Sequence, residues 1–449
     1  MSETTQTLKP DPATSGKFRK ETEIGSVFVS NYPAYSFWNQ DYMPEFEKVL
    51  QSSHQPSTPL GLYMHIPFCR KRCKFCYFKV YTGKNSSEIQ TYLNALSTEI
   101  DISSQKPAFK DRSLKFVYFG GGTPSFISAK HLKQLVDRAR QAISWENVDE
   151  VAFECEPGTL TQTKLEAIKE IGVTRLSLGI ENFNDNILQE NGRAHLVKEI
   201  FRVSPWIKEL DFDQVNIDLI AGMVGESWDT WKDTVQQTVD YDADSVTIYQ
   251  MELPFNTVYS KEIMEENGKV LVANWETKRE WHDYAIEELI KAGYEISSAY
   301  TLVKKNKDVS FVYRDALWQG SDMLSTGVAS FGHLSGIHYQ NTSNWNEYVE
   351  KLKEGKLPIN RVFPTTVRDR LIRELILQTK SGRIDLSYFY NKFNVDVLSE
   401  FNSIYQKLQS DKLLDFDETE IKLTRKGLLR VDGLLPLFYD DQYKNTRYT

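Results

Sequence analysis

The chain has 449 residues, 12% of them aromatic and 26% charged, with a formal net charge of −8. That length accommodates one large core plus a smaller unit, since domains usually run about 100–200 residues and α/β barrels more, and the acidic balance argues against a nucleic-acid surface. No apolar run approaches the ~18–20 residues of a membrane span, the N-terminus lacks the apolar core of a signal peptide, and four cysteines make no disulfide framework; a cytoplasmic protein without membrane or nucleic-acid partners is expected.

In chain order, residues 1–22 are polar and read as disordered. An aromatic-rich stretch follows at 27–38, and the Ser-, Pro- and Gln-rich segment 51–59 reads as a linker, so residues 1–55 form an N-terminal arm. From Gly61 short runs rich in Val, Ile, Tyr and Phe predict strands at 62–66, 115–119, 150–155, 174–179, 214–220 and 245–251. Helical patterns lie between or after them at 88–103, 129–143, 162–171, 228–239 and 275–292. Strands alternating with helices predict a parallel sheet of β-α-β units, and six units make an α/β partial barrel over 56–365. Ligands gather at the carboxyl ends of the strands in such folds. Residues 366–449 change character, with helical patterns at 366–380 and 395–412 and a short strand at 420–424. This reads as a small α+β, winged-helix-like unit, and Asp432, Asp440 and Asp441 near its end favour a lid over the barrel mouth rather than a DNA-binding role.

The chemistry concentrates where strands end. Cys69, Cys73 and Cys76 fall within eight residues, just after the first predicted strand. A 4Fe–4S cluster normally takes four Cys ligands, so three leave one iron open to a substrate or cofactor. A zinc clip remains the alternative and needs a fourth ligand, for which His65 is near. Gly120-Gly121-Gly122-Thr123-Pro124-Ser125 follows the second strand; its glycines let a ligand approach the backbone closely, while the Lys of a P-loop is missing. Glu154 and Glu156 share one strand face by alternation, available to an ammonium group or ribose hydroxyls, or simply an exposed pair. Cys155 between them points the other way and reads as a small buried hydrophobe. Asp218 lies in an otherwise apolar strand, where a charge is costly unless partnered; it is a ligand contact or half of an ion pair. Glu181 and Arg193 are placed to pair with each other.

Taken together these residues resemble the radical S-adenosylmethionine (SAM) superfamily, and within it the oxygen-independent coproporphyrinogen III oxidase-like (HemN-like) family. The matching segments are 62–69 (LYMHIPFC), the cysteine loop, GGGTPS, Glu-x-x-Pro-Gly-Thr at 154–159, 175–180 (RLSLGI), 216–220 (NIDLI) and 423–427 (LTRKG). The likeness spans residues 25–435. It implies a radical SAM barrel with a 4Fe–4S cluster on Cys69, Cys73 and Cys76, whose open iron is chelated by SAM. One electron, from a donor such as flavodoxin or ferredoxin, then cleaves SAM to a 5′-deoxyadenosyl radical. Similar proteins hold two SAM molecules. By position Tyr63, Gly121 and Glu154 contact the first, while Phe75, Gly122, Thr123, Glu181, Arg193 and Asp218 line the second site. Phe331 closes over the first. A monomer is expected.

Three departures separate this chain from the oxidases. Phe78 stands where they carry a further cysteine, Glu181 where they tend to have Gln, and the stretch 77–85 is not theirs. Asn31-Tyr32-Pro33-Ala34 nonetheless resembles the arm that precedes the barrel in full-length oxidases. The leading expectation is therefore a methylase or cyclopropanase that transfers a SAM-derived carbon to an sp2 carbon of an aromatic or conjugated substrate. The second is oxidative decarboxylation of coproporphyrinogen III or a related tetrapyrrole, with Arg70, Lys71, Arg72 and Lys74 available to its carboxylates. The third is a non-catalytic haem chaperone, for which His195, His333 and His338 are the ligand candidates.

Overall fold

The structure is a computed structural model, which describes residues 6–7, 29–53, 57–253, 257–259 and 271–444. The polar segment 1–22, apart from Gln6 and Thr7, lies outside the described residues. Six parallel strands stand where the sequence places them: β1 (Leu60–Ile66), β2 (Phe116–Gly121), β3 (Glu150–Cys155), β4 (Arg175–Glu181), β5 (Gln214–Ala221) and β6 (Ser245–Gln250). The crossover helices begin at residues whose side chains accept the orphan N–H groups of the first turn. Asn85, Ser128, Thr161 and Ser227 do this for the helices Ser86–Ser104, Ala129–Ala142, Gln162–Glu170 and Trp228–Tyr241. Each such cap contributes about 1 kcal/mol and fixes where the helix starts.

The sheet is wider than six strands. β7 (Tyr294–Ile296) and β8 (Thr301–Lys304) extend it antiparallel beyond β6. On the other side β9 (Asp322–Thr326) pairs parallel with β1 as a seventh parallel strand, followed antiparallel by β10 (Phe331–Leu334), β11 (Ile337–Asn341) and β12 (Ile359–Pro364). The order is β12-β11-β10-β9-β1-β2-β3-β4-β5-β6-β8-β7, open at both edges. A buried ion pair, Arg112 to Asp322 at 2.8 Å, anchors β9 at its start. The helix Val197–Leu210, which is not among the helical patterns read from the sequence, carries Pro205 in its interior.

Strand alternation explains the cavity. In β4, Leu176, Leu178 and Ile180 are buried against the helices, while Ser177, Gly179 and Glu181 face the other way and are half-buried. Each fully buried Leu or Ile contributes about 1.5–3 kcal/mol. Strands of a parallel sheet usually carry apolar residues on both faces. Here the inner face instead carries Tyr63 beside Tyr118, Glu154 beside Ser177, and Asp218 beside both Gly179 and Thr247. Such a polar inner face is stable only around ligand, water or internal hydrogen bonds.

Residues 366–444 form a second core. The helix Val367–Thr379 packs beside a three-stranded antiparallel sheet of β13 (Arg383–Asp385), β14 (Leu414–Phe416) and β15 (Glu420–Leu423), with β15 central. The single helix expected over 395–412 is broken at Phe401 into Val397–Glu400 and Asn402–Ser410. The arm belongs to this core. Val29, Tyr32 and Trp38 pack with Leu371, Leu375 and Tyr439, and Trp38 stacks on His338 with centroids 5.0 Å apart. Lys380 Nζ donates to the Val29 carbonyl at 2.6 Å, and the Asp440 N–H to the Tyr32 hydroxyl at 3.0 Å. Among the described residues no helix is long and apolar enough to cross a membrane.

Candidate active site

A cavity of about 400 Å³ opens at the carboxyl ends of the parallel strands. Cys69, Cys73 and Cys76 share its wall with Phe75, Gly121, Gly122, Thr123, Glu154, Glu181, Arg193 and Asp218. Their loop leaves β1 and is pinned at its base, where Cys69 N–H donates to the Tyr81 carbonyl at 3.1 Å and Tyr81 N–H to that of Pro67 at 2.7 Å. Beneath it runs the triple-glycine turn. Gly121 adopts φ +115°, closed to most side chains, and a Cβ there would stand 2.6 Å from the His65 ring. At Gly122 a Cβ would lie 3.0 Å from Cys69 Sγ and 2.9 Å from the Pro67 carbonyl carbon. Thr123 Oγ1 donates to Cys69 Sγ, and Arg193 Nη1 to Cys73 Sγ, both at 3.4 Å.

Burial pushes the Cys69 thiol up to about 11 and the Cys76 thiol up to about 12. Bound iron reverses that, because a coordinating thiol is deprotonated outright. Among the described residues no three His, Cys, Asp or Glu are gathered closely enough to hold one metal ion. Three soft donors spread along a single wall suit a cluster with several irons better than one tetrahedral zinc. His65, the zinc alternative's fourth ligand, packs under Gly121 with Nδ1 3.2 Å from the Tyr63 hydroxyl.

Across the cavity stand three carboxyls. Glu154 accepts from the Tyr118 hydroxyl at 2.7 Å and the Gly121 N–H at 3.2 Å. Asp218 accepts from the Ser177 hydroxyl at 2.8 Å and the Asn216 amide at 3.1 Å. Glu181 sits at φ +66° beside a register shift between β4 and β5, 3.5 Å from Arg193. Burial, reinforced by repulsion from Asp218, raises Glu154 and Glu181 to about 7, and burial raises Asp218 as well. Arg193 Nη2 also donates to the Gly179 carbonyl at 2.6 Å, tying the carboxyl wall to the thiol wall. Crowded carboxyls with one nearby guanidinium favour a cationic ligand. SAM, with its ammonium and sulfonium groups, has that character.

Two expected contacts lie elsewhere. Tyr63 is behind the cavity wall, stacked on Tyr118 at 5.9 Å. Phe331 is not in the lining; it packs on Trp38 at 5.6 Å and Tyr35 at 6.1 Å. Glu156 turns from the cavity centre to Arg70 at 3.0 Å and His195 at 3.2 Å, and these partners, outweighing burial, lower its carboxyl to about 2. His195 is thereby structural. His333 and His338 are buried and face each other at 3.0 Å, so none of the three haem-ligand candidates lines the cavity. His282 does line it, with Nδ1 held by Gln250 at 3.1 Å.

The sequence reading expected the C-terminal unit as a lid over the barrel mouth, but it singled out none of the aromatic residues of the far wall. Tyr118, Tyr249, Trp275 and Tyr300 line the cavity together with Leu428–Asp432 of the C-terminal unit. Tyr249 and Tyr300 are stacked at 6.1 Å. The Tyr300 hydroxyl donates to Asp432 at 2.7 Å, and Gln250 Nε2 to the Leu429 carbonyl at 3.1 Å. The C-terminal unit thus supplies a wall of the barrel mouth.

The family model described as Radical SAM superfamily matches residues 63–238. The oxygen-independent coproporphyrinogen III oxidase of Synechocystis is 24% identical over 457 residues, covering 96% of each chain. The heme chaperone HemW of Bacillus subtilis is 26% identical over 372 residues, 82% of this chain and 96% of its own. Among solved structures, coproporphyrinogen III oxidase (HemN) from Escherichia coli superposes with a TM-score of 0.79 at 23% identity, covering 92% of this chain and 96% of its own, which establishes the fold. Radical SAM proteins use a 4Fe–4S cluster and SAM, and the thiol wall facing a carboxyl wall fits both. Residues 63–238 thus match the radical SAM superfamily, and nearly the whole chain is similar to HemN-type proteins, whose fold it shares.

Proposed function

We propose that this radical SAM enzyme acts on a flat, conjugated, carboxylate-bearing substrate of the tetrapyrrole class, by oxidative decarboxylation of coproporphyrinogen III or a close relative. The observation that carries the reading is the shape of the cavity, which continues past the thiol and carboxyl walls to the Tyr249–Tyr300 stack and Trp275. Stacked aromatic faces hold a planar ligand without demanding a particular polar pattern. The relatives that match along nearly the whole chain, arm included, are named as coproporphyrinogen oxidases. The relatives described above carry tetrapyrrole names, and nothing in them supports the methylase reading.

When bound, the cluster and SAM would supply one-electron chemistry for hydrogen-atom abstraction from a substrate C–H bond. The chain's own residues prepare that event. Cys69, Cys73 and Cys76 would hold the iron. The Gly121 and Gly122 backbone allows close approach. Glu154, Glu181 and Asp218 hold cationic groups, and Arg193 spans from Glu181 to Cys73. Leu428–Asp432 and the tyrosine wall keep water from the reacting carbon.

Phe78, at the place of the oxidases' further cysteine, favours a second reading, transfer of a SAM-derived carbon. One experiment separates them: anaerobic turnover of reconstituted enzyme with reductant, methyl-deuterated SAM and coproporphyrinogen III, read by mass spectrometry. Loss of carboxyl groups with 5′-deoxyadenosine formed is expected. Deuterium in a porphyrin product would refute decarboxylation in favour of carbon transfer, and intact SAM would refute both.

A further inference from the structure

A second cavity, of about 850 Å³, lies at the opposite end of the barrel from the cysteine loop. One side is lined by Lys115, Asp149 and Asp322, at the amino ends of β2, β3 and β9. The other carries Arg370 and Glu374 of the helix Val367–Thr379 and Lys392 of the helix Leu386–Phe393. The barrel and the C-terminal unit thus meet around a polar cleft. Every acid in its lining is already matched by a cation. Asp149 pairs with Lys115, Asp315 with Arg314 at 2.7 Å, Asp322 with Arg112 at 2.8 Å and Glu374 with Lys392 at 2.8 Å. Arg370 is the cation left over. It has no acidic partner among the described residues, and only its Nη1 is engaged, by the carbonyl and hydroxyl oxygens of Thr365 at 3.0 and 3.5 Å. Buried Arg373, one turn further along the same helix, donates to the Leu317 carbonyl at 3.3 Å and leaves Nε without a partner.

His333, in β10, lines the same cleft. Burial, His338 and then Arg373, Arg370 and Lys392 hold its imidazole well below the usual histidine range, and burial lowers His338 to about 3, so both rings are neutral. The hydrogen bonds fix which nitrogen is bare. His338 Nε2 lies 2.9 Å from the Tyr32 carbonyl, which only accepts, so His338 carries its proton there and its Nδ1 is an acceptor. His333 Nδ1, 3.0 Å from that Nδ1, therefore carries a proton, and His333 Nε2 is left as an acceptor with no partner among the described residues. The Ser321 hydroxyl, in a residue 1% exposed that also lines the cleft, has no hydrogen-bond partner either. Buried polar groups left unpaired are costly, and a ligand can satisfy them.

We propose that Arg370, His333 and Ser321 bind a small oxyanion that also carries a hydroxyl group, such as hydrogen phosphate or a 2-hydroxycarboxylate. The guanidinium fork takes the anion's oxygens, Ser321 donates to the anion, and the ligand's own hydroxyl donates to His333 Nε2. An oxyanion without that hydrogen would meet a lone pair instead. Arg370 belongs to the C-terminal unit, and Ser321 and His333 to the barrel, so the ligand bridges the two. It thereby braces the unit that supplies Leu428–Asp432 to the active-site wall at the other end.

The test is isothermal titration of the full-length protein, its cluster reconstituted, in an amine buffer free of oxyanions. Phosphate is compared with sulfate, which has no hydroxyl at neutral pH, and lactate with propionate. Phosphate or lactate should bind several-fold tighter than its hydroxyl-free counterpart, and the tighter of the two names the source. Ser321→Ala should keep the wild-type fold and weaken that ligand several-fold, and Arg370→Gln should weaken it by about tenfold or more. The same ligand should raise the thermal midpoint of wild type with concentration, and that of Arg370→Gln much less. Absence of binding to wild type would overturn the proposal, as would hydroxyl-free anions that bind as tightly as their counterparts or undiminished affinity in Arg370→Gln. If Arg370→Gln fails to fold, undiminished affinity in Ser321→Ala overturns it alone. Displacement of the anion by SAM would place it in the active-site cavity and overturn the proposal too.

Discussion

Replacing Glu181 by Gln tests whether the carboxyl wall is built for a cation. Folding raises this carboxyl from its ordinary 4.5 to about 7, chiefly by burial and partly by Asp218, with Arg193 offsetting some of the rise. The native state therefore holds the proton more tightly than the unfolded chain does. Below pH 4.5 both states are protonated and the shift costs nothing; as pH climbs toward 7 the unfolded chain gains by ionising, and native stability falls. At 1.36 kcal/mol per unit, the full cost is about 3 kcal/mol above pH 7 and about 1 kcal/mol at pH 5. Glu181→Gln should thus stabilise cluster-free protein at pH 8 by about 2 kcal/mol more than at pH 5. Urea unfolding at the two pH values measures this, and titration with SAM should show affinity falling by about tenfold as a charged contact is lost. A variant destabilised equally at both pH values would refute the reasoning, because Glu181 would then be stabilised by Arg193 rather than frustrated by burial.

Other residues make separate demands. Gly122→Ala puts a Cβ 2.9 Å from backbone at Pro67 and 3.0 Å from Cys69 Sγ; stability should drop by about 1–3 kcal/mol, and iron content after reconstitution should collapse. Cys76→Ser should leave the cluster-free fold within about 0.5 kcal/mol of wild type while abolishing the cluster's visible absorbance and SAM cleavage. Asp432→Asn weakens the anchor that takes the Tyr300 hydroxyl at 2.7 Å and buried Lys380 at 3.4 Å. It should cost about 1–3 kcal/mol in thermal unfolding, and raise KM more than it lowers kcat, because Leu428–Asp432 would then close the mouth less firmly.

What could be read from the chain follows from how far each feature reaches. The six parallel strands were legible because each is a local run whose outward residues, such as Leu176 and Leu178, must be apolar to meet a helix. The thiols were legible because three cysteines fall on one eight-residue loop, and Asp218 because a carboxyl in an otherwise apolar strand demands a reason; Glu154 was reached through strand alternation and the motif likeness. Features made by register or by distant segments were not legible. The shift between Gly179 and Glu181 that places Glu181 beside Arg193 exists only in the pairing of β4 with β5. The tyrosine wall needs Tyr249 from β6 and Tyr300 from the turn before β8, closed by a segment nearly 130 residues further on. Phe331 was placed by motif position, yet the antiparallel turn of β10 carries it to the arm's core rather than to the cavity. The same asymmetry governs function. Cofactor chemistry can be read from a short loop because iron needs its donors close in space and here close in sequence. The substrate is recognised by side chains that only the finished fold assembles, so the choice between decarboxylation and carbon transfer falls to the wall that Tyr249, Trp275 and Tyr300 build and to the aromatic at position 78.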